Sequence, residues 1–221
     1  MRRILYLLPL CLFALTGCFQ ADQSNQNKEA STNSTDYSGG NALIVYFSKP
    51  EMNGTDTVAG ASRVVSENDE ILGNVEQLAN WISEDTNYPT ARIETVETYP
   101  DDHDTLVDQA TTERSSNFRP ELKPLDANLA DYNTIYIGYP IWWSDMPMAM
   151  YSFFETNDLS GKTIIPFSVH GGSGLAGTLE SIERLASGAT VESENVLSIS
   201  RNDVPDAQSE VNDWLKSLGV N

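Results

Sequence analysis

Short apolar runs alternate with segments of helical pattern along most of the chain. Runs at Ala42 to Phe47, Ala91 to Val96, Thr134 to Tyr139, Thr163 to Val169 and within Val191 to Ser200 have the length and the branched or aromatic content of strands. Between and after them, helices are predicted over Val75 to Asp85, within Asp104 to Glu113, and over Met148 to Thr156, Gly177 to Ala186 and Ala207 to Leu218. Such alternation predicts an α/β domain, a parallel sheet with helices on both faces. Pro166 strains this scheme, because it removes one ladder donor from a strand placed inside the sheet. No internal repeat is visible.

Two stretches break the alternation. Lys49 to Leu72 separates the first strand from the helix that should directly follow it. Its Gly54, Gly60, Asn68 and scattered acids, with one apolar patch at Val64 and Val65, predict an inserted loop or small hairpin at about residues 49–72. Long loops in compact domains tend to be functional or mobile. Asn117 to Ala130, with Pro120 and Pro124, is expected to approach the third strand as ordered coil.

The N-terminal region follows another logic. Arg2 and Arg3 precede an apolar run, Ile4 to Leu15, that is too short to span a membrane, and Leu15-Thr16-Gly17-Cys18 follows. This arrangement resembles a bacterial lipobox, which implies a signal peptide over residues 1–17 and a lipid on Cys18. Residues 18–40, rich in Gln, Asn, Ser and Thr, have the composition of a solvated tether, leaving residues 41–221 for the folded domain. The expected address is the cell envelope, lipid-anchored and extracytoplasmic; the alternative is a secreted chain with an incidental Cys18. Cys11 and Cys18 are the only cysteines, so the domain has no thiol for a disulfide or for catalysis.

Charge narrows the partners. With 32 acidic and 13 basic residues the chain carries −19, and loss of a leader holding Arg2 and Arg3 makes it more negative still. Nucleic acid and anionic lipid surfaces are disfavoured, and cationic partners favoured. The same balance suits steered docking of electron-transfer partners or plain solubility. Two histidines and no domain thiol leave no metal-ligand cluster; Asp101, Asp102 and Asp104 amount at most to a weak site for a hard cation.

The distinctive chemistry lies where two strands end. Thr134 to Tyr139 runs into Pro140-Ile141-Trp142-Trp143, and Thr163 to Val169 runs into His170-Gly171-Gly172-Ser173-Gly174. One loop offers flat aromatic surface and the other bare backbone. In an open parallel sheet both project toward the crevice at the carboxyl ends of the strands, a setting for a planar, polar-edged ligand. With Phe47-Ser48 at the end of the first strand, these loops resemble the flavodoxin-like family, most closely its extracytoplasmic lipoprotein branch, over Ala42 to Leu218. The resemblance implies a three-layer α/β/α sandwich with a five-stranded parallel sheet of order 2-1-3-4-5, and a non-covalently bound FMN.

The resemblance also implies roles. In this family the FMN phosphate sits at the N-terminus of the first helix, cradled by a short polar loop. Here the matching residues are split by the insertion: Ser48 and Lys49 follow the strand, and Gly73-Asn74-Val75 open the helix. Val75 stands where a hydroxyl is usual, which keeps the backbone N–H but forgoes a hydrogen bond of about 1 kcal/mol. On the residues alone, Asn74 is equally a simple N-cap and Gly73 a turn residue. At the ring end, one of Trp142 and Trp143 is expected to stack on the isoalloxazine while the other packs inward, both assignments being open. Gly171, Gly172 and Gly174 let backbone approach the flavin edge, with His170 and Ser173 as donors, although His170 is equally suited to capping its own loop. His103, among aspartates, is expected at a surface helix start. His170 and Ser173 lie too close in sequence, without an orienting acid, for a hydrolase triad.

The expected function is that of an FMN-binding redox protein, exchanging electrons with a partner protein or a small acceptor such as a quinone. An electron carrier and an NAD(P)H- or quinone-dependent oxidoreductase both fit, with the insertion and Ser144 to Pro147 as substrate pocket or docking rim. The rival is a non-enzymatic lipoprotein that keeps the fold, has lost FMN and binds another ligand.

Overall fold

Residues 40–50, 63–65 and 70–220 are described by the computed structural model, and all belong to one of two compact units, residues 34–221. The expected signal peptide, Cys18, nearly all of the tether and much of the insertion lie outside the described residues. The elements are β1 (Ala42–Tyr46), β2 (Arg63–Val65), β3 (Ile71–Gly73), α1 (Asn74–Thr86), β4 (Thr90–Arg92), α2 (His103–Ser116), β5 (Thr134–Pro140), α3 (Met148–Thr156), β6 (Thr163–His170), α4 (Thr178–Leu185), β7 (Thr190–Val191), β8 (Leu197–Ser200) and α5 (Gln208–Ser217). The main sheet is parallel, in the order β4-β1-β5-β6-β7, with β8 pairing farther along β6. Counting β7 and β8 as one broken strand, this is the expected order 2-1-3-4-5. The described part of the insertion is an antiparallel hairpin of β2 on β3.

Both sheet faces are covered, and β1 shows why. Leu43, Val45 and Phe47 point into a core layer shared with α2, α3 and α4, while Ala42, Ile44 and Tyr46 point into the layer beneath α1 and α5. Successive strand residues alternate faces, so a strand buried on both sides reads as a continuous apolar run. Gly138 in β5 brings one helix unusually close. A Cβ there would overlap the Phe167 ring and lie 2.9 Å from Val75 Cγ1. Glycine therefore fixes how closely the N-terminus of α1 approaches the sheet.

Pro166 finds a place that needs no donor. The carbonyls of Ile164 and His170 accept from Glu192 and Arg201 on the outer side of β6, so the alternate residue Pro166 faces that side too. There the edge is interrupted between Val191 and Leu197, and no strand asks for the missing N–H.

The strand expected over Ala91 to Val96 is shorter, ending at Arg92. Its second half leaves the sheet and pairs with the proline-containing coil: Thr95 bridges Leu122, Val96 N donates to Glu121 O at 2.8 Å, and Lys123 N donates to Glu94 O at 2.8 Å. That pairing orders the coil. Helix α2 starts at His103, where the Asp102 carboxylate accepts from Thr105 N at 3.0 Å, and ends at Asn117 in the left-handed conformation.

Candidate functional site

The loop after β5 is set by one tight turn. Ile141 N donates to Val169 O at 2.8 Å and prolongs the pairing with β6; Trp142 and Asp145 then exchange backbone hydrogen bonds of 2.8 and 3.0 Å. The two residues between, Trp143 (φ 53) and Ser144 (φ 57), are both left-handed. Two-residue turns of this kind ordinarily take Asn-Gly, because side chains resist positive φ. Holding Trp there stores strain of the kind found at functional sites. Asp145 secures the turn: its Oδ1 accepts from Met146 N at 2.8 Å and from the Tyr151 hydroxyl at 2.9 Å.

This turn sends neighbouring indoles in opposite directions. Trp142 is 7 % exposed and packs edge-to-face on Phe47 and Tyr99, with ring centroids 5.5 Å away in each case. Tyr99 in turn donates from its hydroxyl to the buried Glu113 at 2.7 Å. Burial and that carboxylate push the Tyr99 phenol far up, so it remains a donor. Trp143 is 50 % exposed. Trp142 Nε1 is buried without a hydrogen-bond partner among the described residues.

The loop after β6 completes the opposite wall. The imidazole Nδ1 of His170 accepts from Gly172 N at 3.0 Å, so this histidine caps its own loop. Gly172 takes φ 121, and a Cβ there would meet no neighbour, so glycine answers a backbone shape that side chains rarely adopt.

A cleft of about 250 Å³ lies between these loops and α2. Ile141, Trp142, Trp143 and Ser144 line one side, Gly171 and Ser173 another, and His103, Leu106, Val107 and Ala110 the helix wall. Of the residues singled out from sequence, Ile141, Trp142, Trp143, Gly171 and Ser173 thus meet in one place. Pro140 ends β5, His170 ends β6, and Gly172 and Gly174 belong to the loop after β6; none of these four lines the cleft. His103 does more than start a surface helix, since it faces the cleft. Its signal was present: residues 103, 106, 107 and 110 share one face of a helix.

The N-terminus of α1 is a separate place. Ser48 Oγ accepts from Glu76 N at 3.4 Å, and Glu76 Oε2 accepts from Gly73 N at 3.3 Å. Ser48 supplies the capping oxygen that glycine lacks, and a Cβ on Gly73 would collide with it. The other Glu76 oxygen accepts from Arg92 Nη1 at 3.1 Å and from the Tyr46 hydroxyl at 3.5 Å, while Arg92 Nη2 donates to Ser48 O at 2.7 Å. Burial, reinforced by Glu76, pushes the Tyr46 phenol up to about 12 and keeps it a donor. Asn74 and Val75 are buried behind this end. Lys49 turns instead to Asp101, at 2.5 Å. None of Ser48, Lys49, Asn74 or Val75 lines the aromatic cleft.

A sequence model of the flavodoxin family matches residues 74–218. The chain belongs to the flavodoxin family. Among solved structures, a candidate flavoprotein from Bacteroides eggerthii superposes with a TM-score of 0.59 at 19 % identity, covering 82 % of this chain and 99 % of its own. Another from Bacteroides uniformis gives 0.57 at 24 %, over 80 % and 99 %. A flavoprotein from Lactobacillus acidophilus, solved in complex with FMN, gives 0.52 at 18 %, over 79 % and 98 %. At these identities the likeness bears on the fold, and the expected flavodoxin-like α/β architecture holds. No curated protein matches the chain.

Proposed function

We propose that this flavodoxin-family member binds FMN non-covalently and works as a redox protein outside the cytoplasmic membrane, held there by lipid on Cys18. The observation that carries the reading is Trp143, a half-exposed ring fixed in a left-handed turn at the mouth of the cleft, facing a glycine-rich loop. Trp143 supplies the stacking face, Trp142 backs the turn from the core, and Ile141, Leu106 and Ala110 keep water from the ring. Gly171 and Ser173 offer polar contacts for its edge. The flavoprotein from Lactobacillus acidophilus solved in complex with FMN supports the choice of cofactor. Bound FMN would supply one- and two-electron transfer, and the protein would set its access. The partner is a redox protein or a small acceptor such as a quinone.

The phosphate belongs at the N-terminus of α1, where backbone N–H groups and the helix dipole favour an anion. The bonds that close this end, at 3.3 and 3.4 Å, exceed the usual range for N–H···O, so a phosphate oxygen can replace them at low cost. The same feature favours a second reading. Glu76 already places a carboxylate beside that helix end, as expected of a chain that keeps the fold and has given up the nucleotide.

Titrating the purified full chain with FMN and with riboflavin separates the two readings. Saturable binding with quenched flavin fluorescence, tighter for FMN, is the expected result. A folded chain that binds neither flavin would overturn the proposal and leave the second reading. For the anchor, Cys18→Ser should move the protein from the membrane to the soluble fraction; an unchanged distribution would remove the lipid from the account.

A further inference from the structure

Across the lip formed by Trp143 from the aromatic cleft lies a shallow groove of about 660 Å³, bounded by the C-terminal half of α2, by α3 and by the end of α4. Three guanidinium groups, Arg114, Arg119 and Arg184, line it against two carboxylates, Asp145 and Glu155. A local excess of positive charge is unexpected in a chain whose acids outnumber its bases 32 to 13.

The three arginines are not equivalent. Arg119 is engaged: Nε and Nη2 donate to the two oxygens of Glu155, both at 2.7 Å, and its guanidinium lies 4.9 Å from the Tyr151 ring centroid. The hydrogen bonds from Arg119 hold the Glu155 carboxyl below its usual range. Arg114 is only loosely matched. Its Nε is 4.0 Å from Asp145 Oδ2, while the other oxygen of Asp145 is taken by Met146 N and the Tyr151 hydroxyl. Arg184 donates to Ser181 Oγ at 3.3 Å on its own helix and has no carboxylate within ion-pair distance among the described residues. Two planar forks with spare donors therefore line one groove, arriving from different helices.

We propose that this groove is an anion subsite, in which Arg114 and Arg184 bind the carboxylate or phosphate of a small aromatic ligand whose ring reaches over Trp143 toward the cleft. The planar guanidinium matches both anions, and Trp143 lines groove and cleft alike. The chain's overall negative charge would repel a large acidic partner, whereas a small anion beyond about a Debye length from most of it feels the local arginines. This names the class of the small partner and rests on the flavin reading for the ligand's purpose only, since anion recognition needs no cofactor.

The test uses the full chain without flavin, titrated at low salt by calorimetry with 2-naphthoate, 2-naphthyl phosphate and the neutral 2-naphthamide. At least one anion should bind about tenfold more tightly than the amide, and the double variant Arg114→Gln/Arg184→Gln should erase that preference while leaving amide binding unchanged. Lys216→Gln, which removes a cation far along the chain on α5, serves as the charge control and should change nothing. Whichever anion binds more tightly identifies a carboxylate or a phosphate ligand. Raising salt about tenfold on the unaltered chain should weaken the anions and spare the amide, which keeps the test decisive if the double variant does not fold. Equal affinity for amide and anions, or an undiminished preference in a folded double variant, overturns the proposal. A chain that binds naphthoate but not FMN keeps this inference and loses the cofactor reading; the reverse result does the opposite.

Discussion

The aromatic cleft and the N-terminus of α1 are built to opposite plans. At the ring end, the turn from Trp142 to Asp145 closes on its own backbone, buries one indole and leaves the other facing an open cleft. At the helix end, Ser48 and Glu76 accept from the N–H groups of Glu76 and Gly73, and the Glu76 carboxylate is paired with Arg92 and hydrogen-bonded by Tyr46. One end is preorganised and vacant of protein; the other is satisfied by the protein itself. Binding energy should therefore come mainly from the ring, with the phosphate gaining only what exceeds the cap it displaces.

The sharpest way to break this comparison is at Trp142, which the structure makes a core residue. Trp142→Ala empties the centre of an aromatic trio and should cost about 3–5 kcal/mol of stability, measured by denaturant unfolding. Since domains of this kind have about 5–15 kcal/mol in all, the loss would be plain, and a change below about 1 kcal/mol would remove Trp142 from the core. Next in size is Gly138→Ala, whose Cβ would overlap the Phe167 ring and press on Val75. Overpacking of this sort costs about 1–3 kcal/mol. Because Val75 belongs to the first turn of α1, FMN affinity should fall more than riboflavin affinity; an equal fall would separate the helix end from phosphate binding.

How much of this was legible depends on distance along the chain. The loops after β5 and β6 declare themselves because aromatic and glycine residues follow directly on apolar strands, and neighbours in sequence stay neighbours in the fold. The divergence of Trp142 and Trp143 was legible too, though its cause differs. Extended chain would alternate their faces, whereas the structure separates them by a left-handed turn that nothing in the Trp-Ser pair announces. The end of β4 was hidden, since residues 94–96 pair with a coil more than twenty residues on. The meeting of Ser48 with Gly73 across the insertion was anticipated, through the family resemblance and not through any local pattern, whereas the gathering of arginines from α2, α4 and the coil between α2 and β5 was hidden. Non-local pairing leaves little trace in a single sequence.

Trp143→Ala carries the opposite expectation to its neighbour. An exposed ring in a strained conformation contributes little to folding, so stability should move by less than about 0.5 kcal/mol. Loss of the stacking face should weaken FMN and riboflavin alike by about tenfold, roughly 1.4 kcal/mol. If Trp143→Ala binds FMN as the unaltered chain does, the flavin ring does not rest on this indole.

The smallest effect should come from Glu76→Gln, and its sign is the informative part. The substitution removes a negative charge beside the helix end where the phosphate would sit and frees Arg92 from its ion pair, while keeping an oxygen that can accept from Gly73 N. Repulsion between the carboxylate and the phosphate then disappears, and FMN should bind about threefold more tightly, near 0.6 kcal/mol, with riboflavin unchanged. Folding should weaken by about 0.5 kcal/mol, because a charged cap interacts better with the helix dipole than a neutral one. The opposing signs in one variant separate the two uses of the same N–H groups, since a purely structural cap would lower stability without touching the FMN to riboflavin ratio. A ratio that falls would mean that Glu76 helps hold the nucleotide, and the helix end would then be as preorganised as the ring end.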